Sequence, residues 1–187
     1  MHVVVLLSGW SCSGKDTVGH LLASHGFERF AFADVLKHHV AQVQGVSFKM
    51  LHTEAGKAAL APDGTGRTMR QVLIDTGADL RKAKGTDYFA AQVAAAVAKV
   101  PRAVITDWRF VDELEMLQSA LKATHALLTV RVVRRGQEDS PVADAITEHQ
   151  LDAFAFDFAV DNPGTTLEEL TPGVVAIAAR ANALASL

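Results

Sequence analysis

Apolar positions along this chain fall into two patterns: continuous runs of four or five residues, and one-sided repeats at helical spacing. The two kinds alternate. Val3–Leu7 is a continuous run of the sort buried on both faces of a parallel sheet. Lys15–Ser24 follows as a predicted helix, with Val18, Leu21 and Leu22 on one side and Gly26 placed to stop it. Arg29–Phe32 reads as a short strand. Asp34 then caps a helix whose Val35, Leu36, Val40 and Val43 share a face. Positions 45–66 show no clear period, only turn signals at Pro62, Asp63 and Gly64.

Periodicity returns at Thr68, where Met69, Val72, Leu73 and Leu80 mark a helix. Another begins at Thr86 and Asp87 and carries Phe89, Val93 and Val97. Arg102–Asp107 is a second core strand, and Val111, Leu114, Leu117 and Leu121 describe the helix after it. Ala126–Val133 is a third strand, followed by a long polar loop over 134–148. Phe158–Asp161 is a short strand closed by Asn162, Pro163 and Gly164. The last helix starts at Thr166 and restarts at Thr171, because Pro172 suits a first turn better than an interior. Strands alternating with helices predict an α/β fold, a parallel sheet covered by helices on both faces, in one domain over 1–187.

Composition narrows the classes. Of 187 residues 49% are hydrophobic, enough for a buried core and too many for a disordered chain. No apolar run approaches the roughly 18 residues of a membrane span, so no membrane partner is expected. The opening MHVVVLLSGW lacks a basic segment and runs into a glycine-rich loop, which favours a strand over a secretory leader. A single cysteine, Cys12, suits a reducing cytoplasm. The net charge of −3 gives no support for a nucleic-acid partner.

The chemistry-bearing segment is Gly9-Trp-Ser-Cys-Ser-Gly14-Lys15, a G-x-x-x-x-G-K phosphate loop lying between an apolar strand and an amphipathic helix. Glycines there let amides of residues such as Ser11, Cys12 and Ser13 turn toward phosphate oxygens, and the helix adds its positive end. Lys15 supplies a charge for the β- and γ-phosphates. Asp16 stands where a serine or threonine ordinarily reaches magnesium, and Thr17 comes one place later. Either Asp16 holds the metal or Thr17 takes a metal or substrate role. These residues point to ATP with Mg2+ and to phosphoryl transfer.

Asp107 ends an apolar strand, and in open α/β sheets ligands sit beyond the carboxyl ends of strands. It is a candidate magnesium ligand or proton acceptor, with a simple helix cap as the plainer alternative. Arg109 can grip a phosphate bidentately, or pair with Asp112 or Glu113. Arg131, Arg134 and Arg135 lead into the polar loop, where arginines can steady charge that develops during transfer. Arg70 stands among Arg67, Arg81, Lys82 and Lys84 on or near the Thr68 helix. The histidines show no metal-ligand spacing.

Several segments, in order, resemble the virus-encoded deoxynucleoside monophosphate kinases: SGWSCSGKDT, FADVLKHHV, TMRQVLIDTGADL, ITDWRFVDELEML, VVRRGQED, DAITEHQL and VDNPGTTLEEL. The resemblance implies a P-loop kinase fold, ATP with magnesium, and a deoxynucleoside 5′-monophosphate acceptor. By position, Lys15, Asp16 and Thr17 would serve triphosphate, metal and transfer. Asp34, Lys37, Arg70, Asp107, Trp108, Arg109 and Glu113 would face the acceptor, and Arg134 would come from a lid at about 134–150. An acceptor-binding insertion would span about 44–90. The resemblance also allows a homodimer, in a host's cytoplasm if the chain is virus-encoded.

Ala145 replaces the family's histidine before Thr-Glu, Trp108 replaces a smaller residue, and the insertion is short. A related viral group phosphorylates 5-hydroxymethyluracil already in DNA, and a trimmed insertion suits a polymer. That DNA acceptor, with Trp108 stacking on an extruded base, is the alternative. A nucleotide-dependent switch without turnover would leave Asp107, Arg109 and Glu113 unexplained.

Overall fold

The run at Val3–Leu7 becomes the middle of a five-stranded parallel sheet in the computed structural model, which describes residues 1–134, 149–164 and 166–186. The strands are β1 (His2–Ser8), β2 (Glu28–Phe30), β3 (Arg102–Ile105), β4 (His125–Arg134) and β5 (Phe158–Asn162). Their order is β2-β3-β1-β4-β5, with Leu6 in register with Ile105 on one side and Thr129 on the other. The described helices are α1 (Lys15–Ala23), α2 (Phe32–Gln44), α3 (Glu54–Ala58), α4 (Met69–Lys84), α5 (Tyr88–Val97), α6 (Val111–Leu121) and α7 (Leu167–Ala185).

Side chains of β1 alternate between two cores. Val3, Val5 and Leu7 pack with Val18 and Leu22 of α1 and Val174 and Ile177 of α7. Val4 and Leu6 pack with Val93 and Val97 of α5 and Leu114 and Leu117 of α6. Each buried side chain of this size contributes roughly 1.5–3 kcal/mol relative to exposure. A smaller core of Val40, Leu51, Met69 and Val72 joins α2 to α4. The chain leaves β1 toward β2 and β3, then returns to β4 and β5 on the other side. The carboxyl end of β1 is therefore the switch point of the sheet, where ligands bind in such folds.

The structure corrects several boundaries. Helix α2 starts at Phe32, so Asp34 lies in its first turn, and the methyl of Ala31 at the cap position can make no cap hydrogen bond. Its apolar face ends near Val40, and Val43 is 67% exposed. Helix α7 does not restart at Thr171. The buried face of Leu170, Val174 and Ile177 carries it past Pro172, and the Thr171 hydroxyl donates to Leu167 O at 3.0 Å. The span 45–66 holds a short 3-10 helix, Phe48–His52, then α3, capped by Thr53 Oγ1 accepting from the Gly56 amide at 3.0 Å. Elements of five residues are too short to show a period.

The expected lid, with Arg135 and Ala145, lies from 135 to 148 outside the described residues. Among the described residues no helix is long and apolar enough to cross a membrane.

Candidate active site

Two glycines shape the phosphate loop between β1 and α1. Gly9 has φ +149°, and a Cβ there would lie 2.2 Å from Val132 O. Gly14 has φ +99°, and a Cβ would lie 2.3 Å from Asn162 Nδ2. Close approach of β4 and β5 thus requires glycine at both positions. Lys15 folds over the loop, its Nζ donating to Gly9 O and Trp10 O at 2.7 Å each. Ser13 Oγ is buried and has no hydrogen-bond partner among the described residues. A glycine-bearing loop before a helix N-terminus, with an ammonium folded over it, has the make-up of an anion site.

A cleft of about 420 Å³ opens on this loop, bounded by Cys12, Gly14, Lys15, Asp16 and Thr17 on one side and by Asn162, Gly164 and Leu170 on the other. Arg134 closes its edge, donating to Cys12 O at 3.3 Å and Gly164 O at 3.4 Å. Asn162 showed only a turn signal in the sequence, yet its Nδ2 donates to Ser13 O at 2.8 Å. Ser11 lies within the loop, its hydroxyl near the Cys12 thiol.

Asp16 reaches out of the loop. Its Oδ1 accepts from Arg29 Nη2 and from Thr106 Oγ1, both at 3.0 Å. Burial opposes ionisation, but the Arg29 bond and charge, with Thr106 and Lys15, outweigh it and hold the carboxyl below its usual range. Arg29 also donates to Asp34 at 3.0 Å, and Asp34 accepts from Lys37 at 3.1 Å. Asp34 and Lys37 thus belong to a charge network running from Asp16. His52 lies 3.4 Å from Asp34 at its far end.

A second pocket, of about 150 Å³, lies between α2, α4, α5 and α6 and brings together Asp107, Arg109 and Glu113. Phe32, Phe89, Phe110 and Arg81 line it too. Arg81 lies over the Phe110 ring at 4.7 Å and the Phe89 ring at 5.3 Å, and donates to Glu113 Oε1 at 3.2 Å. Glu113 Oε2 accepts the Arg109 and Phe110 amides, capping α6. Burial pushes its carboxyl up to about 7 against those bonds.

Asp107 corrects the metal-ligand expectation. Its two oxygens accept the amides of Phe32 at 2.8 Å and Ala33 at 2.7 Å, so it caps α2 from the end of β3, the strand next to β2. It lines the second pocket and not the phosphate-loop cleft. Burial raises its carboxyl despite both bonds.

Trp108 is also corrected as an acceptor-facing residue, and Arg70 is not among the residues lining this pocket. Trp108 is fully buried, its Nε1 donating to Phe110 O at 2.7 Å and its rings meeting Phe154 and Phe156 edge-on. Arg70 is exposed and paired with Glu54. It stands eleven residues before Arg81 on α4, roughly 16 Å along the helix. Arg81 occupies the pocket instead; the sequence offered it only as one of a basic cluster. Arg131, a candidate for steadying transfer charge, bonds Asp152 at 2.5 Å. Asp152 also accepts from Trp10 Nε1 at 3.2 Å, which ties the phosphate loop to β4.

No protein-family model matches the sequence, and no curated protein matches it. Solved structures do match over nearly their whole length. A shikimate kinase from Aquifex aeolicus aligns with a TM-score of 0.52 at 16% identity, covering 97% of this chain and 99% of that one. A presumed kinase from Chloroflexus aurantiacus aligns with a TM-score of 0.53 at 13% identity, covering 98% and 97%. At such identities the likeness speaks for the fold, and the parallel sheet with its glycine-rich loop is the fold of the P-loop kinases.

Proposed function

We propose that this chain is an ATP- and magnesium-dependent phosphotransferase whose acceptor is a deoxynucleoside 5′-monophosphate. The observation that carries this reading is the pairing of two pockets at the end of β3. Thr106 bonds Asp16 at the phosphate-loop cleft, and the next residue, Asp107, lines the Arg81–Arg109 pocket.

In this reading the loop amides and Lys15 hold the triphosphate in the cleft. Asp16 and Thr17 are the residues that would meet magnesium, which usually takes one or two carboxylates beside substrate phosphates. Asp16 suits that role, since its side chain is 71% exposed and ionised. Bound there, the ion would offset negative charge on the phosphates. Arg109 and Arg81 hold the acceptor's phosphate and ring, while Phe32, Phe89 and Phe110 exclude water. An acceptor phosphate oxygen attacks the γ-phosphorus, the bond to the β–γ bridging oxygen breaks, and ADP departs.

A phosphate monoester is largely ionised at neutral pH, its second pKa being about 6, so its oxygen attacks without giving up a proton. An alcohol, as on hydroxymethyluracil, calls for a proton acceptor. The two carboxylates of the pocket are engaged by backbone amides, Asp107 with two and Glu113 with two plus Arg81. With Trp108 buried, its own ring offers no stacking surface to an extruded base. Both facts favour the monophosphate over DNA.

The test offers labelled ATP with a panel of deoxynucleoside monophosphates and with hydroxymethyluracil-containing DNA, over a range of salt. Turnover on a monophosphate with mild salt dependence is expected, and its loss in Lys15→Ala with the fold intact. Turnover on DNA alone, falling steeply with salt as released counterions dictate, would overturn the acceptor assignment.

A further inference from the structure

In the common P-loop arrangement a hydroxyl residue follows the loop lysine and meets magnesium, and a carboxylate at the end of a neighbouring strand completes the site. Here Asp16 follows Lys15, and Thr106 stands at the end of β3. The two are hydrogen-bonded, Thr106 Oγ1 donating to Asp16 Oδ1 at 3.0 Å. Asp107, the carboxylate one residue further on, caps α2.

The contact is built into the packing. Thr106 is 1% exposed. A Cβ on Gly19 of α1 would lie 2.4 Å from Thr106 Cγ2, so the glycine lets the strand end seat against the first turns of α1. Arg29 gives the same Asp16 oxygen a second donor. One oxygen is thus fixed from two sides, and among the described residues nothing donates to the other.

We propose that Asp16 and Thr106 are a transposed pair. The loop supplies the carboxylate and the strand end supplies the hydroxyl; Asp16 Oδ2 is the oxygen presented to magnesium, and Thr106 and Arg29 are its positioning residues. The transposition explains why Asp107 is released to hold α2. It rests on the nucleotide-binding reading above.

The test is the ratio of ADP affinities with magnesium and with chelator, measured by titration calorimetry alongside a melting curve for each variant. Loss of a residue that orients a metal ligand typically lowers metal affinity by about 10–100-fold. Thr106→Val should lower the magnesium enhancement by roughly tenfold while metal-free ADP binding stays within about twofold. Thr106→Ser, which keeps the hydroxyl, should retain the enhancement. Asp16→Thr should lose most of it, and Asp16→Thr combined with Thr106→Asp should recover about tenfold over Asp16→Thr alone. Equal enhancement in Thr106→Val and wild type would overturn the proposal. So would a folded double variant no better than Asp16→Thr, leaving a mere tie between β3 and α1. Unchanged metal-free binding in those cases would leave the nucleotide site standing; absence of ADP binding by the wild type would bring down both.

Discussion

Asn162 Nδ2 donates a 2.8 Å hydrogen bond to Ser13 O, joining the end of β5 to the phosphate loop across 149 positions of sequence. Asn162 Oδ1 meanwhile accepts the Gly164 amide at 3.0 Å. One buried amide therefore sets the distance between the two walls of the cleft.

Asn162→Ala should leave the Ser13 carbonyl without its partner, at a cost of about 1–3 kcal/mol. We expect a lower urea midpoint and a loss of about tenfold in ADP affinity. Unchanged ADP affinity at full occupancy would show that the cleft wall does not depend on this bond.

The two classes of glycine should separate cleanly. At Gly9 a methyl would meet Val132 O at 2.2 Å, and that oxygen belongs to a strand that cannot give way. At Gly26, with φ +80°, nothing lies within 4 Å, so only the left-handed backbone opposes a side chain. Gly26→Ala should cost about 1–2 kcal/mol and leave nucleotide binding alone. Gly9→Ala should abolish nucleotide binding. A Gly9→Ala protein that binds ADP normally would contradict the loop geometry.

Much of this was legible because local pattern and tertiary packing agree. β1, α1 and the phosphate loop are each specified within a few residues of chain, and the alternation of runs and repeats led to the parallel sheet. What stayed hidden depends on long-range contacts. Asp107 reads as a cap for the helix that follows it, but it caps α2, some 75 residues earlier in the chain. Arg81 and Arg70 are alike in sequence; only the packing of α4 against α2 and α5 decides which one meets Glu113. Asn162 sits in an Asn-Pro-Gly turn that gives no hint of Ser13.

Trp108 should behave as a core residue. It is fully buried among Phe154 and Phe156, with its indole N–H satisfied by Phe110 O. Trp108→Ala should cost about 3–5 kcal/mol, read as a shift in the urea midpoint. Trp108→Phe should cost less while keeping acceptor KM near wild type. A KM rise without a stability change would return Trp108 to the acceptor site.

Glu113 should give the protein a pH-dependent stability of defined sign. Its side chain is 3% exposed, and burial lifts its pKa to about 7, against an ordinary value of 4.5. In the unfolded chain Glu113 ionises as pH rises through about 4.5, while in the folded protein it holds its proton until about 7. The folded state binds the extra proton in that window, so its contribution is full below 4.5 and is lost as pH climbs to 7. The decline can be at most about 1.4 kcal/mol per pH unit. Glu113→Gln removes the titration and adds a constant offset, from the changed contacts to Arg81 and the α6 amides. Measured by urea between pH 4.5 and 8, the unfolding free energy of wild type minus that of the variant should therefore fall as pH rises to about 7 and stay level above it. Parallel curves throughout would mean that Glu113 is ionised across the whole range, and that Arg81 with the two amides outweighs its burial.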